Sequence, residues 1–306
     1  MAETLRGVYA AVLTPFTEKL EPDLERFVRH CRWLLANGCD GLAPLGTTGE
    51  ANSLSVAQRL ALVEAARAGG VPLAQCIFGA GSCALADAVT VTKAVVAAGG
   101  GGALLLPPFY YKNPSEDGLF AFFSEVIERT GDARLKLYLY HFPQLSTVPI
   151  TVPLVTRLKR AYGDTIAGLK DSSGDWQVSA TFLREFPGFG VFSGSEEFLL
   201  ANLRAGGVGC ISASTNITAP LARPVYAAWN RAEADGLQRG LTDVRLVFQS
   251  YPLQAALKEV MALMTGDPSW RVLLPPNRAL AAAQRAELAA RLRNLPQMQP
   301  ILRQAA

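Results

Sequence analysis

Short apolar runs alternate with longer stretches of mixed polarity along most of this chain of 306 residues. Apolar runs of this length are typical of buried strands, and eight are predicted. They lie at residues 8–13, 41–45, 72–78, 103–106, 135–140, 166–170, 190–193 and 209–212. The first six recur about every thirty residues, a spacing that fits one strand, one helix and two loops.

The segments between these runs read as helices. Ser55-Val56-Ala57-Gln58 has the form of a capping box and precedes a predicted helix at 59–68, which Gly69-Gly70 ends. A second helix is predicted at 85–98 and ends at Gly99. Because a parallel strand needs a crossover helix, eight such units favour a closed (β/α)8 barrel of the TIM type, with a doubly wound open sheet as the alternative.

The strand signal ends near residue 220. Helices are predicted at 224–234, within 236–264 and at 279–292, separated by Gly266-Asp267-Pro268 and Pro275-Pro276. We therefore expect a barrel with the catalytic site in residues 1–223 and a C-terminal helical extension in residues 224–306.

Composition narrows the range of functions. The net charge is +3 and the 29 basic residues are spread along the chain, so neither a nucleic acid nor a membrane surface is indicated as a partner. The first residues lack a signal-peptide pattern, and no apolar stretch approaches the roughly 18 residues of a membrane helix. A cytoplasmic protein that acts on small molecules is the expectation.

The cysteines and histidines of the chain do not favour a disulfide framework or a metal site. The five cysteines are odd in number and lack CxxC spacing, and the two histidines, His30 and His141, form no metal-binding motif. Zinc hydrolysis and Ser-His-Asp catalysis are therefore not favoured, and no metal is expected.

Lys170 is the strongest chemical candidate, because an apolar run delivers its amine to a predicted strand end. Burial there lowers the pKa of an amine and favours a Schiff-base nucleophile. The simpler interpretation is a surface lysine paired with Asp171. With a period of two, Tyr140 lies at the active end of the preceding strand within reach of Lys170, and Lys136 lies at the opposite end.

Further polar groups follow the other strands. The turn Gly46-Thr47-Thr48-Gly49-Glu50 offers consecutive backbone N–H groups to a carboxylate and hydroxyl groups to a proton relay. Strand four runs into Tyr110-Tyr111. Together with Tyr140-His141-Phe142-Pro143 and Gly168-Leu169-Lys170-Asp171, these motifs resemble the dihydrodipicolinate synthase / N-acetylneuraminate lyase family of class I aldolases, over nearly the whole chain.

The resemblance implies specific roles. Lys170 would form an imine with pyruvate or a related 2-oxo acid, and the backbone of Thr47 and Thr48 would hold its carboxylate. Tyr140 would move protons, and Thr48 would link it to Tyr111 across a subunit interface. No metal or organic cofactor is then required, and a homotetramer built as a dimer of dimers is implied.

The motifs also depart from the synthase pattern. Synthases of this family carry an arginine two positions after the strand-five proline, where this chain has Leu145. The sequence Gly194-Ser195-Glu196-Glu197 resembles the acidic loop of sialic-acid lyases, whose carboxylates bind substrate hydroxyl groups, although both glutamates would also suit the N-terminus of the next helix.

The strand-eight loop and strand five add two further departures. Sialic-acid lyases carry a serine in this loop where Ile211-Ser212-Ala213-Ser214 has Ala213, so full sialic-acid specificity is not expected. His141 stands where asparagine is frequent and is expected to face away from Tyr140. The family pattern places Ile211, with Leu145 and the Gly194 loop, among the substrate-binding residues.

The sequence leaves three candidate functions. The favoured one is a pyruvate-forming aldolase or lyase that cleaves or forms a hydroxylated 2-oxo acid of the 2-oxo-3-deoxy sugar acid type, with an aldehyde as the other half. The alternative is 4-hydroxy-tetrahydrodipicolinate synthase. A non-catalytic 2-oxo-acid binder is the third, and a metal-dependent class II aldolase lacks ligands.

Overall fold

In a computed structural model, which describes residues 5–303, eight parallel strands form one barrel. The strands are β1 Gly7–Ala10, β2 Gly41–Leu42, β3 Ile77–Gly79, β4 Gly102–Leu105, β5 Leu137–His141, β6 Ile166–Asp171, β7 Gly190–Ser193 and β8 Gly209–Ser212. Their order is β2-β1-β8-β7-β6-β5-β4-β3, and a bridge between Leu42 and Cys76 joins the two ends. The predicted (β/α)8 barrel is confirmed, and the open sheet is wrong.

Helices follow the strands and continue beyond β8. They are α1 Leu24–Ala36, α2 Val56–Ala68, α3 Leu85–Ala97, α4 Glu116–Thr130, α5 Pro143–Ser146, α6 Val152–Tyr162, α7 Trp176–Glu185, α8 Leu199–Arg204, α9 Thr215–Ala227, α10 Ala234–Gln249, α11 Leu253–Thr265, α12 Ala282–Arg293 and α13 Gln299–Arg303. Short 3-10 turns occupy Ala51–Ser53, Leu73–Gln75, Gly163–Thr165, Glu196–Phe198, Pro268–Arg271 and Pro296–Met298.

The helix predicted at 224–234 is wrong. Helix α9 begins at Thr215 and contains Pro220 and Pro224, so the expected domain limit at 223 lies inside it. Its first turn is fixed by the Asn216 side chain, whose amide donates to the carbonyl oxygens of Ala11 and Ala213 at 2.8 and 2.7 Å. The bond to Ala11 fastens the start of the helix to the end of β1, and the helix continues through both prolines although proline is unfavourable inside a helix.

The interior of the barrel is filled by aromatic rings. Tyr9 and Phe192 meet edge to face with centroids 5.2 Å apart, and Tyr138 lies 6.1 Å from Phe192. A Cβ atom at Gly102 or Gly168 would come within 2.6 or 2.8 Å of the Tyr138 ring. Glycine at these two strand positions therefore makes room for the large ring, and the amino-terminal side of the site is closed by packed side chains.

The C-terminal helices are fastened to the barrel by a buried ion pair. Lys258 of α11 donates to Glu50 at 2.6 Å and to the carbonyl of Val272 at 2.8 Å, and both charged side chains are fully buried. The second oxygen of Glu50 accepts from the backbone N–H of Leu274 at 2.9 Å and from Asn277 at 3.2 Å. Burial lowers the pKa of Lys258 to about 8, and the charge of Glu50 opposes that shift.

We expect Lys258→Met and Glu50→Gln each to destabilise the protein by about 3–5 kcal/mol, because each leaves one buried group without its charged partner. The double variant should recover a large part of that loss. Urea unfolding of the four proteins forms a double-mutant cycle that measures the coupling. Additive losses in the double variant would show that the two charges are not coupled.

A second prediction concerns acid stability. His30 of α1 is buried, its Nε2 lies 2.8 Å from Asn216 Oδ1, and its Nδ1 has no partner among the described residues. Burial lowers the pKa of His30 to about 4. Between pH 6.5 and 4 the unfolded chain binds the extra proton, so folding stability should fall as the pH drops, by up to about 3 kcal/mol.

Denaturant unfolding of the wild type and of His30→Gln at several pH values measures this effect. The variant should lose less stability than the wild type over the same pH interval. Equal pH profiles would contradict the assignment of the effect to His30.

Candidate active site

Two adjacent strands bring Lys170 and Tyr140 together. The register pairs Tyr140 of β5 with Lys170 of β6, and the Nζ atom of Lys170 lies 3.3 Å from the Tyr140 hydroxyl and 4.4 Å from the ring centroid. Lys170 is only 4 % exposed. Lys136 lies at the amino-terminal end of the barrel, where it donates to the carbonyl of Asp164 at 3.0 Å. The structure thus bears out the predicted placement of all three side chains.

Asp171 and His141, which follow Lys170 on β6 and Tyr140 on β5, point away from the cavity side of the strands. Asp171 accepts from the backbone N–H of Ser173 at 2.9 Å and from the Ser179 hydroxyl at 2.6 Å, and it makes no ion pair with Lys170. The interpretation of Lys170 as a surface lysine paired with Asp171 is therefore wrong. His141 likewise faces away from Tyr140, and its Nδ1 accepts from the N–H of Ile150 at 3.0 Å.

Burial of His141 lowers its pKa, and the nearby charge of Asp171 opposes the shift. A neutral imidazole suits its role as an acceptor for a backbone N–H. These outward contacts hold the loops that follow β5 and β6, and they leave Tyr140 and Lys170 facing the cavity.

The turn after β2 presents backbone donors to the same cavity. The carbonyl of Thr47 accepts from the Glu50 N–H at 3.1 Å, and Glu50 has a left-handed φ of 55°. Within residues 5–303, the N–H groups of Thr47 and Thr48 donate to no other backbone or side-chain group. Thr48 is buried. Two free donors beside a lysine are suited to binding a carboxylate.

A cavity of about 440 Å³ opens at the carboxyl ends of the strands. A volume of this size suits a small-molecule ligand. Predicted residues that line it are Thr47, Thr48, Tyr140, Leu145, Lys170, Gly194 and Glu197.

Three predicted residues lie elsewhere in the described chain. Glu196 is completely buried, and its carboxylate accepts from the hydroxyls of Ser212 and, at 2.8 Å, Thr218. Ile211 belongs to the closed interior of the barrel. Tyr111 is 77 % exposed and packs edge to face on Tyr110, so it is not part of this chain's own cavity.

The two adjacent glutamates thus differ in position. Glu196 acts as a buried bridge between the loop after β7, the end of β8 and α9, whereas Glu197 lines the cavity. The 3-10 turn that begins at Glu196 rotates one carboxylate inward to the protein and leaves the other at the cavity. The expectation that both glutamates contact substrate is supported by position for Glu197 alone.

The C-terminal helices contribute a wall that the sequence did not predict. Arg245 and Gln249 of α10, with Leu253 and Gln254 of α11, line the cavity opposite the strand ends. Gln254 donates to the Thr47 carbonyl at 3.3 Å. In the sequence these residues look like ordinary members of amphipathic helices, and nothing in their local pattern distinguishes them.

The part of the chain that the structure describes has neither a metal-binding cluster nor a membrane-spanning helix. No group of three or more His, Cys, Asp or Glu residues in that part of the chain is placed to hold a metal ion. Among the helices between residues 5 and 303, none is long and apolar enough to cross a membrane.

Comparison with known proteins agrees with this geometry. The model of the dihydrodipicolinate synthetase family matches residues 4–295. A Chloroflexus aurantiacus protein named as an uncharacterized DapA-like lyase is 36 % identical over 278 residues, which are 90 % of this chain and 92 % of the relative. The 4-hydroxy-tetrahydrodipicolinate synthase of Methanopyrus kandleri is 32 % identical over 262 residues, which are 84 % of this chain and 83 % of that enzyme.

Among solved structures, YagE of Escherichia coli K12, a prophage protein of the dihydrodipicolinic acid synthase family in complex with pyruvate, superposes with a TM-score of 0.88. It is 27 % identical and the match covers 95 % of this chain and 98 % of YagE. The matched range, the extent of the relatives covered and the shared barrel agree. The chain belongs to the dihydrodipicolinate synthetase family, whose members are lyases of the class I aldolase type.

Proposed function

We propose that this protein cleaves or forms a hydroxylated 2-oxo acid through an imine on Lys170, with pyruvate as one half and an aldehyde as the other. The observation that carries the proposal is the contact of 3.3 Å between the Lys170 amine and the Tyr140 hydroxyl in a cavity at the strand ends. A buried lysine next to a proton-transferring phenol is suited to imine formation. The complex of the related YagE with pyruvate supports the choice of that 2-oxo acid.

The chemistry follows from these groups. The free amine of Lys170 attacks the keto carbon, and water leaves to give a protonated imine. In the cleavage direction the proton of the C4 hydroxyl is removed, the C3–C4 bond breaks, and its electron pair moves into the imine to give an enamine and an aldehyde. Protonation of the enamine carbon and hydrolysis then release pyruvate. We assign these proton transfers to Tyr140, because its hydroxyl lies beside Nζ. It protonates the carbinolamine hydroxyl that leaves as water, and the resulting phenolate accepts the proton of the C4 hydroxyl.

The substrate carboxylate would bind at the N–H groups of Thr47 and Thr48, which are free of other partners in the described chain. The carbonyl of Thr47 is held by Gln254, so the turn is supported from outside the barrel. Fixed donors that need no rearrangement stabilise an anion effectively.

The identity of the aldehyde half of the substrate depends on other residues. Leu145 is 59 % exposed at the cavity rim and offers no charge, and Glu197 can accept hydrogen bonds from substrate hydroxyl groups. These features favour a hydroxylated 2-oxo acid. The synthase of Methanopyrus kandleri keeps 4-hydroxy-tetrahydrodipicolinate synthase as the second candidate.

We expect borohydride reduction in the presence of pyruvate to leave one covalent adduct on Lys170, found by intact-mass measurement and peptide mapping. Lys170→Ala should form no adduct and lose at least about a thousandfold in turnover. Lys136→Ala, at the far end of the same barrel, is the matched control and should retain both. Pyruvate binding without an adduct in the folded wild type would favour a non-catalytic binder.

We further propose a homotetramer built from two dimers, in which Tyr111 of one subunit enters a relay with Thr48 of its neighbour. The exposed Tyr110–Tyr111 pair, with ring centroids 5.3 Å apart, is available for such a contact. A cytoplasmic location stays a prediction.

Tyr111→Phe should lower turnover roughly tenfold or more while leaving pyruvate binding unchanged, because it removes one hydroxyl from the proton path. Tyr110→Phe is the control from the same exposed pair and should have little effect. Steady-state kinetics, with sedimentation velocity to measure assembly, tests both statements. Unchanged turnover in Tyr111→Phe would remove Tyr111 from the mechanism.

A further inference from the structure

Arg245 places a positive charge in the cavity without a negative partner. It lies on α10, and its Nη1 atom donates to the hydroxyl of Ser214 at 2.8 Å. Its Nε atom is buried and has no hydrogen-bond acceptor, and no carboxylate of the described chain lies within 4 Å of the guanidinium. The side chain is therefore held in position by a neutral group.

Glu197 lines the same cavity but does not neutralise the charge of Arg245. The contact that the structure shows for its Oε2 atom is with the side-chain amide of Gln249, at 3.3 Å. A partly buried guanidinium with an unfilled N–H group loses hydration without gaining an ion pair, which is unfavourable unless a ligand supplies the anion.

The position of Arg245 relative to the imine site is set by the barrel. Ser214 follows β8, whose neighbours in the barrel are β7 and β1. Strand β6, which carries Lys170, and strand β2, which precedes Thr47, are the next strands on either side. All four residues line or adjoin one cavity. A ligand whose first carboxylate lies at Thr47 and whose keto carbon lies at Lys170 can thus extend its chain toward α10.

We propose that Arg245 binds a second carboxylate at the far end of the substrate, so that the enzyme prefers 2-oxo acids with an acidic group at both ends. This inference rests on the proposed imine chemistry at Lys170. A planar guanidinium matches a carboxylate in two-point contact. A carboxylate is favoured over a phosphate because the far wall offers one cation, which balances a single negative charge.

The proposal also accounts for the apolar rim. Leu145, in the short helix α5 after β5, gives that side of the cavity no charge for an acidic group. The cationic contact is supplied from α10 instead, by the C-terminal extension. Chain length and the acidic end of the substrate are then selected by a helix, whereas the bond-making groups stay on the barrel.

The test compares two 2-oxo acids of equal chain length. 2-Oxoglutarate has a carboxylate at its far end and 2-oxopentanoate has a methyl group. Calorimetry on the wild type should show tighter binding of 2-oxoglutarate, and Arg245→Gln should reduce that preference by roughly 10- to 100-fold while leaving 2-oxopentanoate binding little changed. Arg245→Lys should restore part of it, since the charge remains but the two-point geometry is lost.

Arg239→Gln is the matched control, because Arg239 is an exposed arginine on the same helix and does not line the cavity. The proposal is overturned if the wild type binds both acids equally, or if Arg245→Gln weakens both to the same degree. Borohydride trapping of each complex separates the two levels of inference. A preference for 2-oxoglutarate without an adduct on Lys170 would support the Arg245 site and reject the imine mechanism.

Discussion

The buried ion pair between Glu50 and Lys258 is the constraint on which the site depends. Glu50 ends the turn that presents the Thr47 and Thr48 N–H groups, and Lys258 belongs to α11. Two opposite charges removed from water hold each other at short range, since either alone is costly there. The turn with Thr47 and Thr48 and the C-terminal helices are thereby fixed to one another, and the cavity between them keeps its shape.

Strand alternation sets the other half of the site. Inward positions on β5 and β6 place Tyr140 beside Lys170, and the following outward positions place His141 and Asp171 in contacts with loop backbone and helix α7. The outward pair, His141 and Asp171, anchors the loops. Because Asp171 faces outward, it makes no ion pair with Lys170. A one-residue change of register would exchange the two sets and abolish the site.

Much of this could be predicted from local pattern. The recurring apolar runs predicted the barrel. The period of two predicted that Tyr140 and Lys170 face the same side, because successive side chains on a strand alternate between its two faces. The positions of Glu196, Arg245 and Lys258 could not be predicted in the same way. Each depends on contacts between segments far apart in the chain, such as the 208-residue separation of Glu50 and Lys258. The course of α9 also depends on a distant segment, because the side chain of Asn216 in its first turn donates to the carbonyl of Ala11 after β1.

The aromatic filling of the barrel has a consequence for the reactive intermediate. Tyr9, Tyr138 and Phe192 pack below Lys170 and close the amino-terminal side, with Gly168 admitting the Tyr138 ring. The cavity above Lys170 is lined by the loops after the strands and by helices α10 and α11. If Lys170 carries the proposed enamine, a proton or an aldehyde would reach it from the side of these loops and helices, so the approach direction would be set by the fold before any substrate binds.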